Sequence, residues 1–261
     1  MKKLLFCGMV VALLLPASAM AQSAFDGTWK VDLNKAQASK KPFVITLKDG
    51  MYHCTCDTPP INIKANGQDY AVSGHPGYDM VAIKVLNDHS VQETDKKDGK
   101  VVTSSTFTAA ADGKTATNEF TDSSGTTPVT GKVTFERVAK AADATNAVAG
   151  SWRVKAVNNI SDNGLTFTLK VDGDTLSMTD PTGGSYTAKM DGSDAQTKGL
   201  PDVTSVTVKK TGKNSLQITG KRDGKVITVR DLKVAADGKT MKITRHDKLQ
   251  GTTMSAVADK Q

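Results

Sequence analysis

The chain has 261 residues, 34 Lys and Arg against 27 Asp and Glu, and a formal net charge of +7. Its basic residues are scattered, with doublets at Lys40-Lys41, Lys96-Lys97 and Lys209-Lys210 but no basic block. A solvated surface is therefore expected, and nucleic acid is not an expected partner. Aromatic residues make up only 5% of the chain, which points to small or filled cavities.

The N-terminus reads as a signal peptide spanning residues 1–21. Met1-Lys2-Lys3 is a positive start, Leu4 to Leu15 is an apolar stretch too short to span a bilayer, and Ala19-Met20-Ala21 fits a cleavage site. The mature chain is expected to begin at Gln22 and to reside in the periplasm or the medium, the leader being bacterial in type. No later apolar run is long enough to make the protein membrane-spanning.

Next comes Phe25-Asp-Gly-Thr-Trp-Lys-Val-Asp32, echoed at mid-chain by Gly150-Ser-Trp-Arg-Val154. Trp29 and Trp152 are the only tryptophans and lie 123 residues apart. Further landmarks repeat at nearly the same offset. Asp98-Gly-Lys-Val-Val-Thr103 answers Asp223-Gly-Lys-Val-Ile-Thr228, and Ala110-Ala-Asp-Gly-Lys-Thr115 answers Ala235-Ala-Asp-Gly-Lys-Thr240, both shifted by 125. Asp79 and Asp202 are 123 apart, and Gly125-Thr-Thr127 returns as Gly251-Thr-Thr253. A near-constant offset indicates an internal duplication. The expected units are residues 22–138 and 149–261, joined by a linker at 139–148.

Within each copy, Asp-Gly or Asn-Gly pairs begin at 49, 66, 98, 112, 163, 172, 191, 223 and 237. Such pairs reach the positive φ angles of type I′ turns, so each marks a hairpin candidate. Alternating runs lie between them: Ile45/Leu47, Ile61/Ile63, Val81/Ile83/Val85, Phe167/Leu169/Val171, Val206/Val208, Leu216/Ile218 and Met241/Ile243. Period two with β-branched residues predicts half-buried antiparallel strands, roughly eight to ten per copy, and no convincing helix. Closing such a sheet into a barrel removes both unprotected edges, while a two-sheet sandwich is the alternative. Spans of about ten residues with aromatic girdles, as outer-membrane barrels require, are missing.

Cys54 and Cys56, in Tyr52-His-Cys-Thr-Cys-Asp57, are the only cysteines beyond the leader. Copy two has Leu176-Ser-Met-Thr-Asp180 there. Three readings stand. One is a Cys54–Cys56 disulfide, favoured by export. The second is two free thiols. The third is a soft-metal site using both cysteines with His53 or His75, although one C-x-C lacks the second ligand pair of a structural zinc site. No nucleophile elbow, phosphate loop or zinc-protease motif occurs, so neither an enzyme nor a cofactor is expected.

The Gly-x-Trp openings resemble the first strand of the calycins, the lipocalins and fatty-acid-binding proteins. Asn66-Gly-Gln-Asp-Tyr-Ala-Val-Ser-Gly74 and Asp79-Met-Val-Ala-Ile-Lys-Val85 further resemble secreted, lipocalin-like bacterial proteins of unassigned activity. The resemblance implies an all-β protein of two tandem, duplicated, antiparallel up-and-down barrels. It also implies that each Trp packs across one barrel end, with Arg137 as partner of Trp29 and Lys260 in the corresponding place of copy two. The helical lid of fatty-acid-binding proteins and the Arg and Tyr set that holds their carboxylate are not found in the sequence. The expected function is non-enzymatic binding of a small, largely apolar, lipid-like ligand in the barrel interior. The alternative is a structural or protein-interaction module with filled barrels.

Overall fold

The computed structural model describes residues 23–142 and 144–261; the expected signal peptide lies outside them. Alternation of apolar and polar residues produces strands almost throughout. In chain order these are β1 (Gly27–Gln37), β2 (Phe43–Lys48), β3 (Met51–Cys54), β4 (Ile61–Lys64), β5 (Asn66–Ala71), β6 (Met80–Asn87), β7 (Ser90–Lys97), β8 (Lys100–Ala109), β9 (Thr115–Asp122) and β10 (Val129–Lys140). The second half comprises β11 (Gly150–Ile160), the single helical turn α1 (Asp162–Leu165), β12 (Thr166–Asp172), β13 (Thr175–Thr179), β14 (Ser185–Lys189), β15 (Asp191–Lys198), β16 (Ser205–Gly212), β17 (Ser215–Arg222), β18 (Lys225–Val234), β19 (Thr240–Asp247) and β20 (Thr252–Lys260). Among the described residues, no helix is long and apolar enough to cross a membrane.

Six of the nine Asp-Gly and Asn-Gly pairs join consecutive strands. At Asp49, Asp98 and Asp223 both turn residues have positive φ, as a type I′ hairpin requires. The pairs at Asn66 and Asp191 do something else: they open β5 and β15, where the register slips before Asp69 and Asp194. The pair at Asn163 lies in α1.

The strands form two ten-stranded antiparallel sheets. One is a closed barrel in the order β1-β12-β13-β14-β15-β16-β17-β18-β19-β20. The other runs β4-β3-β2-β11-β10-β9-β8-β7-β6-β5. Its two end strands, β4 and β5, follow one another in the chain, separated only by Ala65. Each sheet encloses its own apolar core. Leu169, Leu176, Val208, Leu216, Met241 and Trp29 are buried in the closed barrel, and Ile45, Ile61, Val81, Ile83, Val91 and Trp152 in the other sheet.

These barrels do not coincide with the repeats at 22–138 and 149–261. β11, the opening strand of copy two, pairs with β10 and β2 of copy one. β1, the opening strand of copy one, pairs with β12 and β20 of copy two. The copies have exchanged first strands. Barrel one is thus continuous, from β2 to β11, whereas barrel two is β1 plus β12–β20. β11 follows β10 directly in the chain and occupies the edge of β10 that β1 would otherwise cover. The 139–148 stretch is correspondingly not a free linker. Val148 and Ala149 are buried, and Asn146 bonds the carbonyl of Asn87.

The structural register also corrects one landmark. Asp79 corresponds to Thr204, not Asp202: the amide of Asp98 donates to Asp79 and that of Asp223 to Thr204.

The exchange predicts an asymmetry between fragments. Residues 161–261 alone lack one strand of a closed barrel and should show little β-structure by circular dichroism. A peptide of residues 23–40 should restore it, with Trp29 emission shifting to the blue. Residues 38–161 should fold unaided.

Candidate functional site

The tryptophans close one end of each barrel. Both are fully buried, and each indole N–H donates to a carbonyl four residues back: Trp29 to Phe25 and Trp152 to Val148, both at 2.8 Å. The expected pairing of Arg137 with Trp29 is corrected by the strand exchange. Arg137 lies over Trp152, 3.9 Å from the ring centroid, and Lys260 lies over Trp29 at 5.0 Å. Arg137 also donates to the carbonyls of Gly113 (2.6 Å), Ala149 (2.7 Å) and Ala147. Lys260 reaches only the carbonyl of Ala24, at 3.5 Å. This corner is a structural plug: each cation satisfies backbone carbonyls while covering an aromatic face.

Cys54 and Cys56 are bonded to each other, with Cα atoms 5.3 Å apart. The bond uses the thiolates that a metal site would need. His53 lies on the opposite face of β3 from the buried Cys54. His75 is not simply solvated; its ring stacks on Tyr78 at 4.6 Å, and its Nδ1 is 2.9 Å from the Tyr78 hydroxyl. The sequence candidates are therefore brought together only as plug and disulfide.

The barrel interiors hold what the sequence reading missed. Barrel one contains a cavity of about 320 Å³ lined by Phe43, Phe107, Phe135, Tyr52, Glu93 and Asn118, among others, with the disulfide in its wall. Barrel two contains one of about 440 Å³ lined mainly by Val31, Phe167, Leu169, Met178, Ile218 and Leu232, with Tyr186 and Arg230 as polar members. Each opening is framed by a hairpin of the other barrel. Gln250 and Thr252, from the β19–β20 turn, line the first cavity, while Asp122 and Val129, flanking the β9–β10 turn, line the second.

The repeat register shows how the two interiors diverged. β7 and β17 align at an offset of 125, as do β8 with β18 and β9 with β19. Inward-facing Val91, Glu93 and Asp95 correspond to Leu216, Ile218 and Gly220. Ser105 and Phe120 correspond to Arg230 and Arg245. Barrel one carries its interior charge as acids on β7. Barrel two carries it as arginines on β18 and β19, the counterparts of β8 and β9.

In barrel two, Arg230 and Arg245 face each other directly across β18 and β19. Burial first, then the neighbouring Arg245, lowers the affinity of the Arg230 guanidinium for its proton. Tyr186 is pushed up to about 12, chiefly by burial. Among the described residues, no carboxylate pairs with Arg230, and the buried Nε of Arg245 has no acceptor. The carboxylates at the opening are committed to turns: Asp122 accepts from Ser124, and Asp180 from Thr182 and Gly184. An Arg and Tyr set is thus present after all, assembled from β14, β18 and β19. Its trace in the sequence is a cation on the apolar phase of an alternating strand, Thr228/Arg230/Leu232.

In barrel one, Glu93 and Asp95 lie within hydrogen-bonding reach of one another. Burial raises the pKa of each well above the usual carboxylate range, with charge repulsion adding to it. Asp95 is only 8% exposed, and its Oδ1 has no partner; nor has the buried Oδ1 of Asn118.

No protein-family model matches the chain, and no curated protein matches it.

Two predictions arise here. Arg137→Met should destabilise the protein by about 2–4 kcal/mol, since three carbonyls lose a charged donor, whereas Lys260→Met should cost under about 1 kcal/mol; urea unfolding measures both. The raised Glu93 and Asp95 carboxyls bind protons more tightly in the folded than in the unfolded chain. Stability should therefore fall as pH rises from the ordinary carboxylate range through the raised values. Glu93→Gln should flatten this fall, melting above the native protein at about pH 9 and level with it near pH 4.

Proposed function

We propose that the protein is a non-enzymatic carrier built from two lipocalin-like barrels, and that barrel two holds a small amphiphile with an apolar body and an anionic head. The carrying observation is Arg230, a guanidinium inside an apolar cavity with no protein carboxylate to neutralise it. Enclosing an unpaired charge costs several kcal/mol. A carboxylate entering the cavity would recover that cost through charge-assisted, bidentate hydrogen bonds. Tyr186 can donate a further hydrogen bond, because its raised pKa keeps the hydroxyl protonated. Leu169, Met178, Ile218 and Leu232 would bury the apolar body, and the cavity is within the range of small-ligand sites. The leader supports export, so the reading places this carrier in the periplasm or the medium.

Calorimetric titration with decanoate tests the reading. Saturable one-to-one binding is expected, with decanol weaker by about tenfold or more and Arg230→Leu weakened to the same degree. Equal binding of decanol and decanoate would remove the anionic head from the reading, and no binding of either would return the second barrel to the alternative of a filled interaction module.

A further inference from the structure

The cavity of barrel one has the opposite chemistry, and nothing in the reading of barrel two accounts for it. Its wall is aromatic. Phe43 meets Phe135 edge to face at 5.4 Å and Phe107 at 6.3 Å, and Phe107 meets Phe135 at 5.4 Å. Its polar members include the Glu93 carboxyl and the unpartnered Oδ1 of Asn118, with Asp95 and its own unpartnered oxygen on the same strand face as Glu93, beside the hydroxyls of Ser39, Tyr52, Ser105 and Thr252. The one protein cation in the lining, Lys41, sits at the opening and donates to the carbonyl of Gln250 at 2.5 Å. A fold leaves buried acceptors unmet only at a cost of about 1–3 kcal/mol each. Two unmet acceptors beside a buried acid pair favour a group that carries several N–H donors and no lone pair.

We infer that barrel one is a second ligand site, for a primary ammonium group on a compact apolar body. The ammonium meets Glu93 and Asn118, and the apolar body packs against the ring faces of Phe43, Phe107 and Phe135. Rings and acid act together, because a cation is attracted both by a carboxylate and by aromatic faces. An anionic amphiphile finds no cation in this lining beyond Lys41 at the mouth, so the two barrels sort ligands by charge. The other groups acting on Glu93 and Asp95 reinforce this. Asp57, beyond β3, and Asp122, at the end of β9, act as acids, and Tyr52 and Tyr78 are neutral with raised hydroxyl pKa values. Only Lys41 opposes it, at the mouth. Burial and mutual repulsion favour a shared proton on this acid pair, so an arriving ammonium displaces it. Binding should therefore release protons and strengthen as pH rises.

The fold supplies the reporter. Each barrel contains one tryptophan, so the two indole N–H resonances of the ¹⁵N-labelled full chain report the two interiors separately, and Trp29→Phe assigns them. Octylamine is the probe, octanol its neutral counterpart. Octylamine should shift the Trp152 resonance saturably and leave that of Trp29 in place, with octanol about tenfold or more weaker. Glu93→Gln should weaken octylamine binding about tenfold or more and Asn118→Leu several-fold, both variants keeping dispersed indole signals. Calorimetry in two buffers of different protonation enthalpy should show proton release. Octanol binding as tightly as octylamine, undiminished binding in Glu93→Gln, or no movement of Trp152 would overturn the proposal. Decanoate is followed at Trp29, so failure of either site is read independently of the other.

Discussion

The pairing of β10 with β11 is the constraint on which the rest of the molecule depends. The two strands are consecutive in the chain, and their pairing takes the hydrogen-bonding edge of β10 out of reach of β1. Every cross-barrel feature follows. β1 must find β12 and β20, because an unpaired strand leaves a full row of donors and acceptors unmet. The Trp29 plug is carried into barrel two and the Trp152 plug into barrel one. Arg137 lands on Trp152 because they are register partners on β10 and β11. The chain then has to cross between barrels twice, through residues 38–42 and through α1, and a hairpin of each barrel, β9–β10 or β19–β20, lies at the other's opening.

Much of the fold was legible because it is encoded in short-range pattern. Alternation at Ile61/Ile63 or Val206/Val208 needs no knowledge of partners, and Asp98-Gly99 demands a hairpin by its own backbone preferences. The strand exchange was not legible, since both arrangements satisfy the same pattern: β1 and β11 present the same Gly-x-Trp face, and either fits either barrel. The identity of the plug cations was readable, but their pairing depended on the exchange. The Asn66-Gly67 and Asp191-Gly192 pairs misled for a physical reason. A glycine at positive φ serves a bulge as well as a turn, and sequence alone does not separate the two.

The interior charges escaped notice because they are single residues on otherwise ordinary strands. Glu93 sits in a run of polar residues, Gln92-Glu-Thr-Asp95, where its inward direction is visible only by counting from Val91. Arg230 stands beside Asp231 and looks like half of a surface pair, yet Asp231 faces outward to Gln217 and His246. Duplication makes the contrast informative. The same scaffold positions that hold Ile218 and Gly220 in one copy hold Glu93 and Asp95 in the other, so the charge is not a requirement of the barrel itself. A residue that costs stability in one copy, and is replaced by an apolar or small one in its twin, is better explained by what the cavity receives than by how the cavity folds.

The location of β1 also sets an order of events along the chain. This strand pairs with β12, which begins at Thr166, and with β20, which ends at Lys260. In a chain made from the N-terminus, β1 can find β12 once that strand is made but gains its second neighbour only when β20 appears, more than two hundred residues after β1 itself. Contacts of that separation form slowly. Barrel one can close as soon as Ile160 is available, so the late step is the closure of barrel two around a strand made before either barrel.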